Sequence, residues 1–483
     1  MSQAQHDLIL QDWKNRQEIA EEMLPLLGRL YRDRGLVLLV YGRPIVNSST
    51  IEILKAHRYV RYHEGAELDV ADTLAVLKAI AGMDVAPARL DIGKLAVGFR
   101  KAGTAVSLAD YLGEQLADIV GDHAQKSLEP KDVVLFGFGR IGRLLARLLI
   151  ERTGAGNKLR LRAIVVRKGK GADLQKRASL LRRDSVHGPF NGSITVDEEN
   201  NAIIANGNFI KVIYADKPGA VDLTEYEIND ALIVDNTGKW ADLEGLTQHL
   251  SGKGAKKVLL TAPSKGDGIK NIVYGVNHGT IEDSDLVVSA ASCTTNAITP
   301  VLKALNDKYG IENGHVETVH SYTNDQNLID NYHKSDRRGR AAPLNMVITS
   351  TGAAKAVAKA LPELKGKLTG NAIRVPTPNV SMAILSLNLQ SEVTKDGINE
   401  FLRETALHSK LSDQIDYTAS TELVSTDIVG SRHAGVVDSQ ATIAADKRVV
   451  LYVWYDNEFG YSCQVVRVVQ HITGVEYPQV PAE

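Results

Sequence analysis

The 483-residue sequence predicts an α/β protein whose middle part forms a doubly wound parallel sheet. Short apolar segments alternate there with helical stretches, as at residues 133–136 and 159–166, which is typical of parallel strands joined by helices. A glycine-rich turn joins the first of these strands to a helix. An apolar stripe at helical spacing near the start of the chain predicts a mainly helical segment in front of the α/β part.

The composition excludes several classes of protein. A formal net charge of -2 provides no electrostatic footprint for nucleic acid or an anionic membrane. The longest apolar runs, such as residues 36–40, are too short to span a bilayer, and the first residues lack the basic-then-apolar order of a secretory signal. Two cysteines, Cys293 and Cys463, fit a reducing compartment. We therefore expect a cytoplasmic protein without nucleic-acid or membrane partners.

Residues 1–127 read as a helical N-terminal extension. Apolar residues recur at helical spacing from Ile19 to Tyr31, and capping residues at 47–50 and at Ser107 predict further helices, the last of them reaching about Val120. The basic residues among positions 54–62 fit either an anion site or a solvated helix face. They are Lys55, His57, Arg58 and Arg61. The pattern does not reveal a role, and oligomerisation and regulation both stay open.

A polar connector containing Pro130 separates this extension from a strand, a glycine turn and an apolar helix. This order is what a Rossmann-type dinucleotide-binding fold requires. Gly137 allows the tight turn, Gly139 lets a pyrophosphate approach the backbone, and Gly142 lets the helix pack on the strand. A structural glycine turn is the alternative interpretation.

The next strand ends without the acidic residue that usually binds the adenosine ribose of NAD. It ends in Val166, and Arg167 and Lys168 follow. The missing carboxylate removes repulsion of a 2′-phosphate, and the basic residues attract one, so this strand end favours NADP over NAD. A solvated basic loop beside a site that takes NAD is the alternative.

Cys293 marks a second candidate site. It follows the apolar run 286–288 and precedes a predicted helix, whose N-terminus would lower the pKa of the thiol. The following strand ends at His320, within plausible reach of the cysteine, and a paired imidazolium would favour the thiolate. A buried structural cysteine and a core histidine are the competing interpretations.

Several motifs together resemble one family, the phosphorylating glyceraldehyde-3-phosphate dehydrogenases, over about residues 131–477. The matching runs include FGFGRIGR (136–143), SAASCTTN (289–296), TVHSYTNDQ (318–326), HKSDRRGRAA (333–342), STGAAKAV (350–357), RVPTPNVS (374–381) and WYDNEFGYS (454–462). The resemblance implies a dinucleotide-binding domain at 131–292, completed by a C-terminal helix at about 455–483. It also implies an α+β catalytic domain at 293–454, a homotetramer, and no metal.

The resemblance assigns the chemistry to individual residues. Cys293 would attack the aldehyde, and His320 would act as general base. The substrate phosphate would meet Arg374 and Thr323, with Arg338 nearby. The attacking inorganic phosphate would meet hydroxyl and backbone donors near the sulfur: Ser292, Thr294, Thr351 and Gly352.

For the cofactor, NADP or NAD, the resemblance implies further contacts. Asn457 would bond the nicotinamide carboxamide, and Tyr461 would pack near its ring. Arg140 and Ile141 would line the cofactor channel, together with the glycines of the turn and the basic residues Arg167 and Lys168. Thr237 and Thr261 would lie near the ribose and phosphates.

The chain also departs from the family pattern. Val165 and Val166 stand where the family usually has Asn-Asp, and Asn331 and Tyr332 stand where NAD-specific bacterial members often have Leu-Pro; both changes favour NADP. Residues 1–127 have no counterpart in ordinary members. The remaining alternatives are an erythrose-4-phosphate dehydrogenase and a binding or regulatory role added by the extension.

Overall fold

The computed structural model describes residues 2–103, 106–121, 129–156 and 158–481, without the side chains of 152–156. The chain forms two compact units. The first comprises residues 1–129, 152–158 and 476–483, and the second comprises residues 130–151 and 159–475. The predicted boundary at residue 127 lies outside the described residues.

The N-terminal unit is mainly helical, which confirms the predicted class of this segment. Its helices are α1 (Gln3–Arg34), α2 (Thr50–Tyr59), α3 (Arg61–Glu64), α4 (Val70–Ala81), α5 (Ile92–Ala102) and α6 (Leu108–Gln115). Ser2, Ser49 and Ser107 cap α1, α2 and α6 with their side chains, which satisfies N–H groups that a helix start leaves unpaired. The helix that Ser107 starts ends at Gln115, before the expected Val120, and a short 3₁₀ turn follows.

This unit also contains a small sheet that the sequence analysis did not predict. Its strands are β1 (Val37–Val40), β2 (Arg43–Pro44), β3 (Arg89–Asp91) and β21 (Gln479–Val480), in the order β2-β1-β3-β21. The apolar run at 36–40 is therefore mostly a buried strand. Strand β3 is only three residues long, and its partner β21 comes from the far end of the chain, so no local pattern indicates the pairing.

The second unit contains a nine-stranded sheet of the expected doubly wound kind. Its strands are β4 (Lys131–Phe136), β5 (Leu159–Val166), β6 (Ile194–Asp197), β7 (Ala202–Ala205), β8 (Asn208–Tyr214), β9 (Ala231–Asp235), β10 (Ala255–Leu260), β11 (Lys270–Asn271) and β12 (Val287–Ser289). The order is β11-β12-β10-β9-β4-β5-β8-β7-β6, and only the pairs of β7 are antiparallel. The helices that belong to this region are α7 (Arg140–Gly156), α8 (Asp173–Arg182) and α9 (Leu243–Thr247).

A second, mixed sheet of eight strands lies in the same unit. Its strands are β13 (Ile311–Ser321), β14 (Val347–Ser350), β15 (Leu368–Val375), β16 (Ser381–Leu389), β17 (Ile415–Thr418), β18 (Gly435–Asp438), β19 (Ile443–Ala445) and β20 (Arg448–Tyr455). The accompanying helices are α10 (Cys293–Tyr309), α11 (Ala353–Ala360) and α12 (Lys395–His408), and α13 (Phe459–Thr473) follows β20 in the chain. These elements agree with the predicted α+β character of this part.

The C-terminal segment divides differently from the expectation that 455–483 completes the dinucleotide-binding domain. Helix α13 ends at Thr473, where Gly474 adopts φ 68° and supplies the left-handed cap. Residues 476–483 group with the N-terminal unit because β21 pairs with β3 there. The finer domain limits at 292 and 454 stay predictions.

Candidate active site

Cys293 is the first residue of α10, directly after the turn that follows β12. The side chain of Ser292 caps this helix by accepting the backbone N–H of Thr295 at 3.0 Å. Packing fixes the rest of the helix, because Ile298, Val301 and Leu302 of α10 are fully buried in the core shared with the mixed sheet. This burial holds the first turn, and with it the thiol, in a fixed position.

His320 lies near the end of β13, and its Nε2 is 3.5 Å from Cys293 Sγ. The imidazole is buried, with 6% exposed. Strand β13 pairs in parallel with β15 in a register that places His320 beside Arg374. The structure therefore brings together three residues that lie up to 81 positions apart.

The other ring nitrogen of His320 has two neighbours, which correspond to two tautomers. Nδ1 is 2.7 Å from the carbonyl oxygen of Ser321 and 2.7 Å from Arg374 Nη1. A proton on Nδ1 would be donated to Ser321 and would leave Nε2 as an acceptor facing the thiol. Because a guanidinium only donates, a bond from Arg374 would instead place the ring proton on Nε2.

The pKa values correct the expectation of a thiolate formed by the helix N-terminus and an imidazolium. Burial raises the pKa of the Cys293 thiol, although Arg374 and hydrogen bonds from Thr294 oppose this effect. Burial, assisted by the charge of Arg374, lowers the pKa of His320 to about 3. The imidazole is thus neutral at neutral pH, because removing the site from water penalises both charged forms.

The hydroxyl groups beside the sulfur are held by a buried tyrosine. Tyr455 OH is 2.9 Å from Thr294 Oγ1 and 2.7 Å from Thr318 Oγ1, and the tyrosine is 1% exposed. Its ring packs edge-on against His320, with centroids 6.0 Å apart. The sequence did not predict a role in the site for Tyr455 or Thr318. Both lie inside the quoted motifs, but their spacing in the sequence does not indicate a contact between them.

The two arginines expected to bind the substrate phosphate lie on a strand and on a short 3₁₀ turn. Arg374 is on β15, and its Nε is buried without a hydrogen-bond partner among the described residues. Arg338 pairs with Asp325 and donates to Thr349 Oγ1 at 3.0 and 3.2 Å. Its charge contributes to lowering the pKa of His320.

Three further residues expected to bind phosphate groups belong to short loops. Thr323 lies half-buried just after β13, and its carbonyl accepts the backbone N–H of Gln326. Thr351 and Gly352 precede α11, where Thr351 Oγ1 accepts the N–H of Ala353 at 3.2 Å. Gly352 has no side chain with which to cap the helix.

The glycine turn between β4 and α7 has the shape of a dinucleotide cradle. Gly137 has φ +96°, and a Cβ there would lie 3.1 Å from Thr237 Cγ2. A Cβ on Gly142 would lie 2.6 Å from the carbonyl oxygen of Gly137, so only glycine permits this approach of helix and strand. A Cβ on Gly139 would meet no atom within 4 Å, which leaves room for a ligand beside the backbone.

Two side chains of the cradle have protein partners. Arg140 forms ion pairs with Asp184 and Glu458, and therefore ties the start of α7 to the segment before α13. Ile141 is half-buried in the first turn of α7. The backbone of this first turn, together with the helix dipole, suits a pyrophosphate.

At the carboxyl end of β5, Val166 is buried and the two following basic residues are exposed. Lys168 Nζ is 5.5 Å from the ring centroid of Tyr214, and the carbonyl of Arg167 accepts a hydrogen bond from Arg177. None of the described contacts joins Arg167 or Lys168 to the cysteine centre.

Two threonines follow the neighbouring strands and are held by one buried carboxylate and its backbone. Thr237 Oγ1 donates to Asp235 Oδ1 at 2.7 Å, and Thr261 Oγ1 donates to the carbonyl oxygen of Asp235 at 3.0 Å. His249 Nε2 lies 2.9 Å from the other oxygen of this carboxylate. This arrangement places both threonines at the sheet edge where ligands bind in folds of this type.

Asn457 and Tyr461 lie at the junction of β20 and α13. Asn457 is 7% exposed, and its Oδ1 accepts a hydrogen bond from Ser381 at 2.8 Å. Tyr461 is buried, and its hydroxyl donates to the carbonyl oxygen of Ala291, two residues before Cys293. The contact of Tyr461 brings the first turn of α13 next to the cysteine, across 170 residues.

A glycine cradle for a dinucleotide, in the same unit as a cysteine next to a buried histidine, defines an oxidoreductase of the nicotinamide-dependent class. Family models agree with this class: the NAD-binding domain of glyceraldehyde 3-phosphate dehydrogenase matches residues 131–243, and its C-terminal domain matches residues 292–457. The chain belongs to the glyceraldehyde-3-phosphate dehydrogenase family.

Individual relatives differ in how much of the chain they match. A glyceraldehyde-3-phosphate dehydrogenase-like protein of Pseudomonas aeruginosa is 62% identical over 461 residues, which are 95% of this chain and 100% of the relative. Glyceraldehyde-3-phosphate dehydrogenase of Zymomonas mobilis is 40% identical over 69% of this chain and 96% of its own length. Glyceraldehyde-3-phosphate dehydrogenase 2 of Bacillus subtilis is 39% identical over 70% of this chain and 96% of its own length. The Pseudomonas relative thus shares most of the N-terminal extension.

Within the part of the chain that the structure covers, no group of three or more histidine, cysteine or acidic residues could hold a metal ion. Across the same residues, every helix is too short or too polar to cross a membrane.

Proposed function

We propose that the protein is a phosphorylating glyceraldehyde-3-phosphate dehydrogenase, which oxidises glyceraldehyde 3-phosphate with NAD(P)⁺ and inorganic phosphate to 1,3-bisphosphoglycerate, reversibly. The observation that carries the proposal is the 3.5 Å contact between Cys293 Sγ and His320 Nε2 beside Arg374. Cysteine–histidine pairs within such reach act as activated nucleophiles in acyl transfer.

In the first half of the reaction, Cys293 Sγ attacks the aldehyde carbon while its proton passes by way of His320 Nε2 to the carbonyl oxygen, which gives a thiohemiacetal. His320 Nε2 then accepts the proton of the thiohemiacetal hydroxyl group as the carbon is oxidised to a thioester. This role requires the tautomer in which Nδ1 donates to Ser321, and the neutral state that burial favours. The nicotinamide, when bound, supplies the hydride acceptor.

In the second half, inorganic phosphate attacks the thioester carbon, the bond to Cys293 Sγ breaks, and the acyl phosphate leaves. Arg374 and Thr323, with Arg338, would hold the substrate phosphate, because arginine presents a fork of donors to phosphate oxygens. Ser292, Thr294, Thr351 and Gly352 would hold the attacking phosphate next to the sulfur. The thioester keeps the acyl group activated until phosphate arrives.

The glycines at 137, 139 and 142 fit a dinucleotide, since Gly137 and Gly142 permit the close approach of strand and helix and Gly139 leaves room for a ligand beside the backbone. Arg140, Ile141, Thr237 and Thr261 would line the remainder of the cofactor site, and Asn457 and Tyr461 the nicotinamide end. We favour NADP over NAD because Val166 provides no carboxylate and the exposed Arg167 and Lys168 follow it. A homotetramer is the assembly that the family resemblance suggests, and the composition favours a cytoplasmic location.

The test is NAD(P)H formation from glyceraldehyde 3-phosphate by reduced, full-length protein, with and without inorganic phosphate. Turnover that requires phosphate supports the proposal. Faster turnover of erythrose 4-phosphate would support the sister activity instead, and the absence of turnover with either aldehyde would overturn the enzymatic proposal. The ratio of kcat/KM for NADP and NAD tests the cofactor preference.

Substitution of the nucleophile gives a sharper test. Cys293→Ser should lower kcat by at least about a thousandfold, because an alcohol is a far weaker nucleophile than a thiol at this pH. The Kd of the cofactor should stay nearly unchanged. Cys463→Ser, which alters the other cysteine, inside α13, is the matched control and should retain turnover.

A further inference from the structure

Ser381, the first residue of β16, contacts two parts of the candidate site. It is 1% exposed and lies opposite Tyr455 in the register of β16 and β20. Ser321, the neighbour of His320, donates its backbone N–H to Ser381 Oγ at 3.1 Å. Because a backbone N–H can only donate, Ser381 Oγ accepts at this contact and keeps its own proton for another acceptor.

That proton is donated to the side chain of Asn457. The distance from Ser381 Oγ to Asn457 Oδ1 is 2.8 Å, and both groups are buried. A carboxamide has one accepting end and one donating end, so a hydroxyl donor on Oδ1 leaves Nδ2 as the free donor. Among the residues that the structure describes, no group accepts a hydrogen bond from Nδ2, although Asn457 is only 7% exposed.

The backbone around Asn457 is held separately, by the buried carboxylate of Asp456. This carboxylate accepts the backbone N–H groups of Glu458 and Phe459 at 3.0 and 2.8 Å. It also accepts the N–H of Gly430 at 2.8 Å. The position of the asparagine thus depends on Asp456, whereas the orientation of its amide depends on Ser381.

We propose that Ser381 is a positioning residue for the nicotinamide end of the cofactor: its hydroxyl holds Asn457 Oδ1, so that Asn457 Nδ2 is presented as a donor to the carbonyl oxygen of the cofactor's carboxamide. The inference rests on the proposed function, since it takes Asn457 as the nicotinamide contact. The same hydroxyl is bonded to the residue after His320, so it links the placement of the nicotinamide to that of the general base.

The experiment compares two probes on full-length Ser381→Ala: the whole oxidised cofactor, and its adenosine-diphosphoribose part, which lacks nicotinamide. Loss of the oriented amide should raise the Kd of the whole cofactor about five- to tenfold, the usual effect of one hydrogen bond. The Kd of the fragment should change by less than about twofold, because that part does not reach Asn457. A merely structural role would weaken both probes alike.

Two further variants make the comparison decisive. Ser386→Ala, on an exposed position of the same strand, should leave both Kd values unchanged. Adding Ser381→Ala to Asn457→Ala should raise the Kd no further than Asn457→Ala alone, because the serine acts through the asparagine. The inference would be overturned if Ser381→Ala weakened the binding of both probes equally, or if its effect on the Kd added fully to that of Asn457→Ala. Turnover of the wild type reports on the proposed function separately, so an active wild type with unchanged binding in Ser381→Ala would overturn this inference alone.

Discussion

At the scale of single residues, the centre combines a partly exposed thiol with a buried imidazole. Cys293 and His320 are close enough to exchange a proton, yet burial opposes charge on both: it raises the pKa of the thiol and lowers that of the imidazole to about 3. The thiol of Cys293 and the imidazole of His320 are therefore both uncharged in the resting site. Arg374 lowers both pKa values, which favours the thiolate and disfavours the imidazolium at the same time.

The depressed pKa of His320 predicts a pH dependence of stability. In the unfolded chain the imidazole takes up a proton near its ordinary pKa of 6.5, whereas the folded protein resists protonation down to about 3. Lowering the pH from 8 to 5 should therefore cost about 2 kcal/mol of unfolding free energy through this residue. The loss begins as the pH falls below about 6.5.

Urea unfolding at several pH values tests this prediction. His320→Gln should lose less stability between pH 8 and pH 5 than the wild type does. His315→Gln, on the same strand but partly exposed, is the control and should follow the wild type. An identical pH dependence in His320→Gln and the wild type would contradict the assignment.

At the scale of elements, Tyr455 at the end of β20 joins α10 to β13 through its hydroxyl group. Tyr455→Phe keeps the ring but leaves Thr294 and Thr318 without this partner. The unfolding free energy should fall by about 1–2 kcal/mol, since buried hydroxyls lose a hydrogen bond. The KM for inorganic phosphate should rise several-fold if Thr294 binds it, which steady-state kinetics would measure.

Tyr452→Phe is the matched control for this change, because it removes a hydroxyl from the same strand at a position that is only partly buried. It should change neither the unfolding free energy nor the KM for inorganic phosphate. A Tyr455→Phe enzyme with normal stability and normal phosphate KM would show that the hydroxyl contacts contribute nothing.

The end of β5 allows a second prediction at this scale, about cofactor choice. Val166→Asp restores the carboxylate that favours NAD, and its charge would repel a 2′-phosphate. The ratio of kcat/KM for NADP to that for NAD should fall about tenfold or more, because like charges in contact cost over a kcal/mol. Val166→Asn, equal in size but neutral, should change the ratio far less; equal effects of the two variants would point away from electrostatics.

At the scale of the whole molecule, the last residues of the chain complete the sheet of the N-terminal unit. Val480 is 8% exposed in β21, beside β3. Deleting residues 476–483 should destabilise that unit by about 2 kcal/mol, the value of burying one such side chain, while activity changes by less than about twofold. Limited proteolysis within residues 1–129, followed by mass spectrometry, would measure the first effect.

Gln479→Ala, which keeps the backbone of β21 and its hydrogen bonds, is the control for the deletion and should resist proteolysis like the wild type. A loss of turnover that parallels the proteolysis would indicate that the N-terminal unit supports catalysis, and would favour the regulatory alternative for the extension.

Local patterns were sufficient to predict the elements that depend on neighbouring residues. The glycine turn at 137–142, a helix after Cys293 and the strand that ends near His320 all follow from spacing and residue type within short windows, although the helix begins at Cys293 itself. The family resemblance added the identity of the residues proposed to react and to bind phosphate. The mainly helical start of the chain was likewise predictable from one apolar stripe.

The fold class was predictable from residue types at short spacings, and the family and the candidate residues followed from the motifs that resemble the family. The directions of the pKa shifts, the hydroxyl groups that hold Thr294 and Asn457, and the pairing of β21 with β3 became apparent in the folded chain alone. The physical reason is the same in each case: desolvation and long-range hydrogen bonds depend on groups that are distant in the chain and meet only when it is folded.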